Sequence, residues 1–391
     1  MMRRLAIVAT HPVQYQSHWY RALAAHPGID LEVLYCHRAG GSDQAAAGFG
    51  VEFDWDVPLL DGYQSRFLPN RSSRPSVSTF GGVDSPEVGD AIRRGRYDAV
   101  LVSGWHFRAA WQAFRACWSA RIPLMVRGDS TLLESRALLR RALKYLPYRL
   151  FVPRFHACLA AGSLAARYFR HYGAKPGRVF LVPHTCDPDL FSPSAGEQAL
   201  RQSSRAQWSL PSDATVFLLP SKLIPVKRPL DFLRALEISR AANPSIAALV
   251  AGDGPLRPEC ERFIADTGIP VRMTGFLNQS RMAAAYAAAD AVVLCSQRDT
   301  WGLVVTEAMT AGRPCIVSDR VGAAPDLIEH GRTGYVFPAG DVSSLARLLE
   351  HVAMFPDRLR RMGPQARTKV DQFSRHRSVS GVVEAMEAVC P

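Results

Sequence analysis

Ser296-Gln-Arg-Asp299-Thr-Trp-Gly302-Leu-Val-Val-Thr-Glu307-Ala-Met309 is the stretch on which the reading of this chain turns. An apolar run, Ala291 to Leu294, leads into it, and a second, Cys315 to Val317, follows beyond Gly312. The change from unbroken apolar runs to a helical pattern starting at Gly302 spells strand, loop, helix, strand. A helix that opens at glycine leaves its first N–H groups unpaired along the axis, and its dipole adds partial positive charge there, which suits an anion. Glu307 lies about one and a half turns further on, where a carboxylate can accept hydrogen bonds from the vicinal hydroxyls of a ribose. Asp299, on the loop, offers a second carboxylate to a neighbouring polyol. Taken singly, the two acids also read as a solvated helix residue and a capping residue. Their spacing as a set suits a ligand with a sugar at each end and phosphate between.

The segment from Ser296 to Gly340 resembles the carboxyl-terminal signature of family 4 glycosyltransferases of GT-B fold, in which Glu is followed, after seven residues, by Glu, Ala and Met. Glu307, Ala308 and Met309 match, as do Gly302, Gly312, Pro314, Ser318, Asp319, Gly322 and Gly334. The first acid here is Asp299, one methylene shorter than the family's Glu. The resemblance implies an α/β protein built as two Rossmann-like, doubly wound domains that face a central cleft. Their expected spans are 1–195, which binds acceptor, and 196–375, which binds a nucleotide sugar, with 376–391 a helix that crosses back to the first domain.

Length and composition agree with that plan. The chain has 391 residues, 48% of them hydrophobic and 21% charged, enough for two ordinary domains and unlike a disordered chain. Its apolar runs, such as Leu5 to Ala9 and Ala247 to Ala251, are too short to span a bilayer or to form a signal core, so neither export nor a spanning helix is expected. The eight cysteines lack paired spacing. Several, including Cys36, Cys158, Cys295 and Cys315, lie in or beside apolar runs, as buried thiols of a cytoplasmic protein do. No histidine pattern suggests a metal, and Asp187-Pro-Asp189 reads as a turn rather than a metal-holding DxD. A formal charge of +12 is compatible with nucleic acid, anionic lipid or a phosphorylated substrate, but no nucleic-acid-binding signature is present.

In the first half, Leu5 to Ala9, a helix from Gln14 to Ala25 and Leu31 to Tyr35 form a beta-alpha-beta start, with ligands expected at the carboxyl ends of the strands. His11, Gln14 and Tyr15 fall at the first such end, and as members of a polar turn they also read as surface residues. Val51 to Asn70 reads as short strands and turns. Strands at Asp98 to Ser103 and Pro123 to Arg127 bring His106, Arg127 and Asp129 to the same edge, and Thr131 with Glu134 forms a capping box. Arg136, Arg140, Arg141, Lys144, Arg149 and Arg154 occupy a run without an acid. There Arg136, Arg140 and Lys144 share one helical face and the leucines largely another. The run reads either as a peripheral membrane contact at 136–154, on the inner membrane face, or as a core-facing helix with a solvated basic side. Phe191 to Ser212 is the expected interdomain connection.

The second half opens with a strand at Thr215 to Pro220, followed by Lys222 and Lys227 on a loop able to meet a diphosphate. The resemblance places the family's phosphate-binding Arg and Lys at these two positions, and Leu277, Trp301, Gly302, Leu303 and Glu307 around the donor. It assigns Asp299 to the donor sugar. A family histidine expected near Gly128 is absent, which leaves Asp129 and His106, with Asp299, as candidate catalytic groups and His11, Gln14, Tyr15 and Arg127 as acceptor-side residues.

The implied function is transfer of a sugar, with retention of configuration, from a nucleotide diphosphate sugar, UDP-linked before GDP-linked. The acceptor would be a glycan, lipid-linked or small molecule. The nucleotide sugar is a co-substrate, with no metal and no other cofactor. A GT-B phosphorylase, a nucleotide-sugar epimerase, and a non-catalytic basic protein that binds membrane or nucleic acid share parts of this pattern.

Overall fold

The computed structural model describes residues 2–133, 138–193 and 195–390, apart from the side chains of residues 47 and 138–141. Glu134 and Arg136, invoked for the capping box and the basic run, lie outside the described residues. So do the side chains of Arg140 and Arg141.

The chain divides into two compact units. The first comprises residues 1–43, 58–185 and 373–391. Its seven parallel strands are β1 (Arg3–Ala9), β2 (Ile29–Tyr35), β3 (Gln64–Phe67), β4 (Ala99–Ser103), β5 (Leu124–Gly128), β6 (Ala157–Ala160) and β7 (Val179–Leu181), in the order β3-β2-β1-β4-β5-β6-β7. The second comprises residues 44–57 and 186–372. Its six strands are β8 (Thr215–Pro220), β9 (Ile246–Ala251), β10 (Val271–Gly275), β11 (Ala291–Leu294), β12 (Cys315–Ser318) and β13 (Gly334–Phe337), in the order β10-β9-β8-β11-β12-β13. Each order reverses beside its first strand, and such a switch point opens a crevice at the strands' carboxyl ends.

Parallel strands covered by helices on both faces are apolar throughout, which is why these runs were readable. Every residue of β8 and β9 is buried. The edge strand β3 falls within Val51 to Asn70, read as short strands and turns, and pairs in parallel with β2, while β13 is an addition to the runs read from sequence. Seven of the cysteines are buried and Cys390 is partly so. Asp187 caps a short helix, Pro188–Phe191, by accepting from the Asp189 N–H, in keeping with the turn reading of Asp-Pro-Asp.

Three segments depart from expectation. The polar run taken as a connection contains the helix Glu197–Gln207, built into the second unit. Residues 44–57 also belong to that unit, although the sequence places them in the first half. In the helix Leu138–Phe151 the reading with the leucines facing the core and the basic side solvated does not hold. Leu143, Leu146 and Leu150 point outward, 63–68% exposed. Lys144 turns inward, where its ammonium lies 4.4 Å from the centre of the Tyr148 ring and donates to the Tyr168 hydroxyl at 2.7 Å. The aromatic rings that receive it, Tyr148, Tyr168 and Tyr172, offer a cation–π environment that the periodicity alone does not announce.

Candidate active site

In the second unit the loops after β11 and β12 are laced together. The Asp299 N–H donates to the Arg320 carbonyl at 3.2 Å, Gly322 N–H to the Asp299 carbonyl at 2.9 Å, and Ala323 N–H to the Trp301 carbonyl at 2.7 Å. A Cβ on Gly322 would overlap the Thr300 carbonyl oxygen. Gly302, at φ 89°, takes the left-handed conformation that glycine tolerates, and a Cβ there would sit 2.8 Å from Val321 Cγ1. Trp301 is buried and its indole donates to Thr306 Oγ1 at 3.2 Å. These contacts fix where the helix Leu303–Thr310 begins, and hence where its unpaired N–H groups point.

Glu307 is only 5% exposed, so the solvated-helix reading fails. Its Oε2 accepts from the Tyr286 hydroxyl at 2.6 Å, while Oε1 accepts no hydrogen bond among the described residues. Burial outweighs the help of that hydroxyl and raises the carboxyl from 4.5 to about 7. The sign for stability follows directly. The folded state holds a proton that the unfolded state releases near pH 4.5, so stability is fully present below that pH and is lost as pH rises through about 7. Wild-type protein should therefore lose on the order of 2 kcal/mol between about pH 5 and about pH 8 that Glu307→Gln does not lose. Urea unfolding of both proteins at the two pH values checks this; parallel pH profiles would refute it.

The two lysines converge on the same loops. The Lys227 ammonium meets Asp299 Oδ2 at 2.6 Å, with both side chains about four-fifths buried. Asp299, assigned by resemblance to the donor sugar, thus has one oxygen committed to a lysine, and its other oxygen accepts no hydrogen bond among the described residues. Burial and the Lys227 charge lower the Lys222 ammonium from 10.5 to about 8, against the pull of Asp299.

Residues 44–57 supply a part of this region that sequence reasoning missed. The Lys222 ammonium lies 4.0 Å from the centre of the Phe49 ring. Phe53 packs on Phe276 with centroids 4.1 Å apart, and Phe49 and Trp55 complete the cluster. Asn278 Nδ2 donates to the Asp54 carbonyl at 2.7 Å, and the Ser280 hydroxyl donates to Asp56. Leu277, beside Phe276, is buried. Three aromatics within the seven residues Phe49 to Trp55 were the available signal.

The first unit holds a second cluster. Tyr15 meets His184 edge to face, with centroids 5.5 Å apart, and His184 Nε2 lies 3.8 Å from Asp129 Oδ2. Burial, reinforced by the Arg127 charge, holds His184 well below 6.5, so the imidazole is neutral at pH 7 and that approach is no ion pair. Its Nδ1 is buried without a partner among the described residues. Burial raises the Tyr15 hydroxyl to about 12, with Asp129 adding to the effect and Arg127 opposing it.

Arg127 is buried beneath this group. It donates to the Val182 and Pro183 carbonyls, the latter at 2.8 Å, and stacks 4.1 Å from the centre of Trp19. Its evident work is to clamp the turn that carries His184. His11, held near 4 chiefly by burial, is neutral and contacts Thr10 Oγ1 at 3.0 Å. Gln14 opens the helix Gln14–Ala24. His106 is exposed, packs edge to face on Phe107, and makes no hydrogen bond among the described residues. His184 escaped the sequence reading, although its place just past the carboxyl end of β7 marked it.

Two doubly wound parallel units, the second carrying a helix start beside a lysine pair and a buried carboxylate, define an α/β protein of the GT-B fold. A solved structure of Anabaena Alr3699/HepE in complex with UDP superposes over 99% of this chain and 100% of that one, with a TM-score of 0.75 at 18% identity. Residues 201–369 match the family described as Glycosyl transferases group 1. A D-inositol 3-phosphate glycosyltransferase of Streptomyces scabiei (strain 87.22) is 31% identical over 235 residues, 57% of this chain and 52% of that protein. The sulfoquinovosyl transferase SQD2 of Arabidopsis thaliana is 33% identical over 219 residues, 55% of this chain and 39% of its own. The chain spans about half the length of the first of these curated relatives.

Proposed function

We propose that this chain is a retaining glycosyltransferase of family 4 that moves a sugar from a nucleotide diphosphate donor, UDP-linked in preference to GDP-linked. The acceptor is a glycan, lipid-linked or small molecule. The observation that carries the reading is the gathering, within one unit, of Lys222, Lys227, the helix start at Gly302 and Leu303, and a buried Glu307 with one uncommitted oxygen. In this reading the lysines and the helix N-terminus stabilise charge that develops on the leaving diphosphate. Glu307 accepts from the ribose hydroxyls, and Asp299 steadies Lys227 while its other oxygen meets the donor sugar. Asp129 and His184 stand near the acceptor. The reading includes a cytoplasmic location and the peripheral membrane contact expected of residues 136–154. Among the described residues no helix is long and apolar enough to cross a membrane.

Isothermal titration with UDP and GDP tests the donor site. One nucleotide should bind at micromolar strength, and Glu307→Ala should weaken it at least about tenfold, roughly 1.4 kcal/mol. Failure of UDP, GDP, ADP and dTDP alike would sink the transferase reading.

A further inference from the structure

The helix Leu138–Phe151 presents an apolar stripe to solvent. Leu143, Leu146 and Leu150, spaced three and four residues apart, are 68%, 65% and 63% exposed, and Tyr145 beside them is 42% exposed. Residues at this spacing share one side of a helix. Large apolar side chains exposed singly are ordinary, but a contiguous row of them on one helix needs a partner.

The charge around the stripe narrows the choice of partner. Between Glu134 and Asp187 the sequence holds no Asp or Glu in 52 residues, but ten Lys and Arg. Of these, Arg149, Arg154, Arg167, Arg170, Lys175 and Arg178 are exposed. The helix Ser163–His171 lies alongside the stripe's helix, through His171 against Tyr145 at 5.3 Å between ring centres and Tyr172 against Tyr148 at 5.0 Å, so part of this basic surface adjoins the leucines. An apolar row set in a field of one sign matches a surface that is anionic outside and hydrocarbon beneath.

At 14 residues the helix measures about 21 Å, too short to span a bilayer. Pro147 interrupts it and deprives the Leu143 carbonyl of its usual donor, which is affordable where water is near and costly deep in hydrocarbon. Both features suit a helix that lies in the plane of the interface.

We propose, resting on and deepening the peripheral contact included in the proposed function, that this face docks on an anionic lipid bilayer, with Leu143, Leu146 and Leu150 entering the boundary between headgroups and acyl chains and the neighbouring arginines meeting lipid phosphate. The contact is independent of the donor chemistry, so nucleotide affinity is read separately. Full-length protein is sedimented with vesicles of phosphatidylcholine mixed with phosphatidylglycerol, and with vesicles of phosphatidylcholine alone. The expected result is binding to the mixed vesicles that weakens with salt and on the neutral ones. It should fall at least about tenfold in the variant Leu143→Ser/Leu146→Ser/Leu150→Ser, with UDP affinity unchanged. These side chains are exposed, so the variant should fold; Arg149→Gln, with an intermediate loss, supplies a second measure. Absence of binding to mixed vesicles, or equal binding by the triple variant, overturns the proposal. So does light scattering that shows a dimer dissolved by the triple substitution, which would seat a second copy of the chain on this face.

Discussion

Asp290→Ala should lower stability by about 3–5 kcal/mol, the cost of leaving buried charge without its partner. Arg205, in the helix Glu197–Gln207, is 5% exposed. Its guanidinium donates to the carbonyls of Ala288 at 2.9 Å, Pro211 at 3.2 Å, Ser212 at 2.9 Å and Ala214 at 3.1 Å, and to Asp290 Oδ2 at 2.7 Å. Asp290 also accepts from Arg201 at 2.5 Å and from the Val216 N–H, inside β8, at 2.8 Å. One carboxylate thus joins the helix, β8 and the start of β11. Removing it strands Arg205, whereas Asp290→Asn keeps the shape and one acceptor and should cost less. Urea unfolding measures both; a change in midpoint without a change in slope is expected, and a loss under about 1 kcal/mol for Asp290→Ala would contradict the network's role.

The second large effect concerns ligand binding. Lys222→Met/Lys227→Met should reduce UDP affinity about a hundredfold or more while sparing uridine, because hydrogen bonds to charged groups contribute about 1.5–3 kcal/mol each. Methionine keeps the length and apolar stem of lysine, so packing of position 222 against Phe49 survives. In wild-type protein UDP affinity should also fall as pH rises through about 8, where unliganded Lys222 loses its proton. Titration calorimetry with UDP and uridine decides the matter. Equal losses for both ligands would mean that the substitutions damage the fold, and no loss for UDP would remove the lysines from the site.

Much of this was legible because the signals were local. Buried parallel strands announce themselves as apolar runs, and Gly302, Glu307, Lys222 and Lys227 sit at loop and helix positions that neighbouring residues define. What escaped depended on contacts distant in sequence. Tyr286 reaches Glu307 from another helix, and His184 reaches Asp129 across the sheet edge. Periodicity divides the helix Leu138–Phe151 into two faces but does not say which turns inward; three tyrosines drew in Lys144 and left the leucines outside. The Ser- and Pro-rich composition of Phe191 to Ser212 suggested a tether, yet Arg205 holds a buried network there.

The division of the chain into units has a consequence for synthesis. Phe53 packs on Phe276, more than two hundred positions later, and the Ser378 hydroxyl, on the helix Arg375–Val389, donates to the Pro183 carbonyl at 3.1 Å. The first unit is therefore completed by a helix that follows the whole of the second in sequence, and the second includes a segment that precedes most of the first. During synthesis the aromatics of 44–57 wait while their partners around Phe276 are translated, and the first unit cannot close until residues 373–391 have followed the second. The two units interleave along the chain, so neither can be completed before most of the other has been translated.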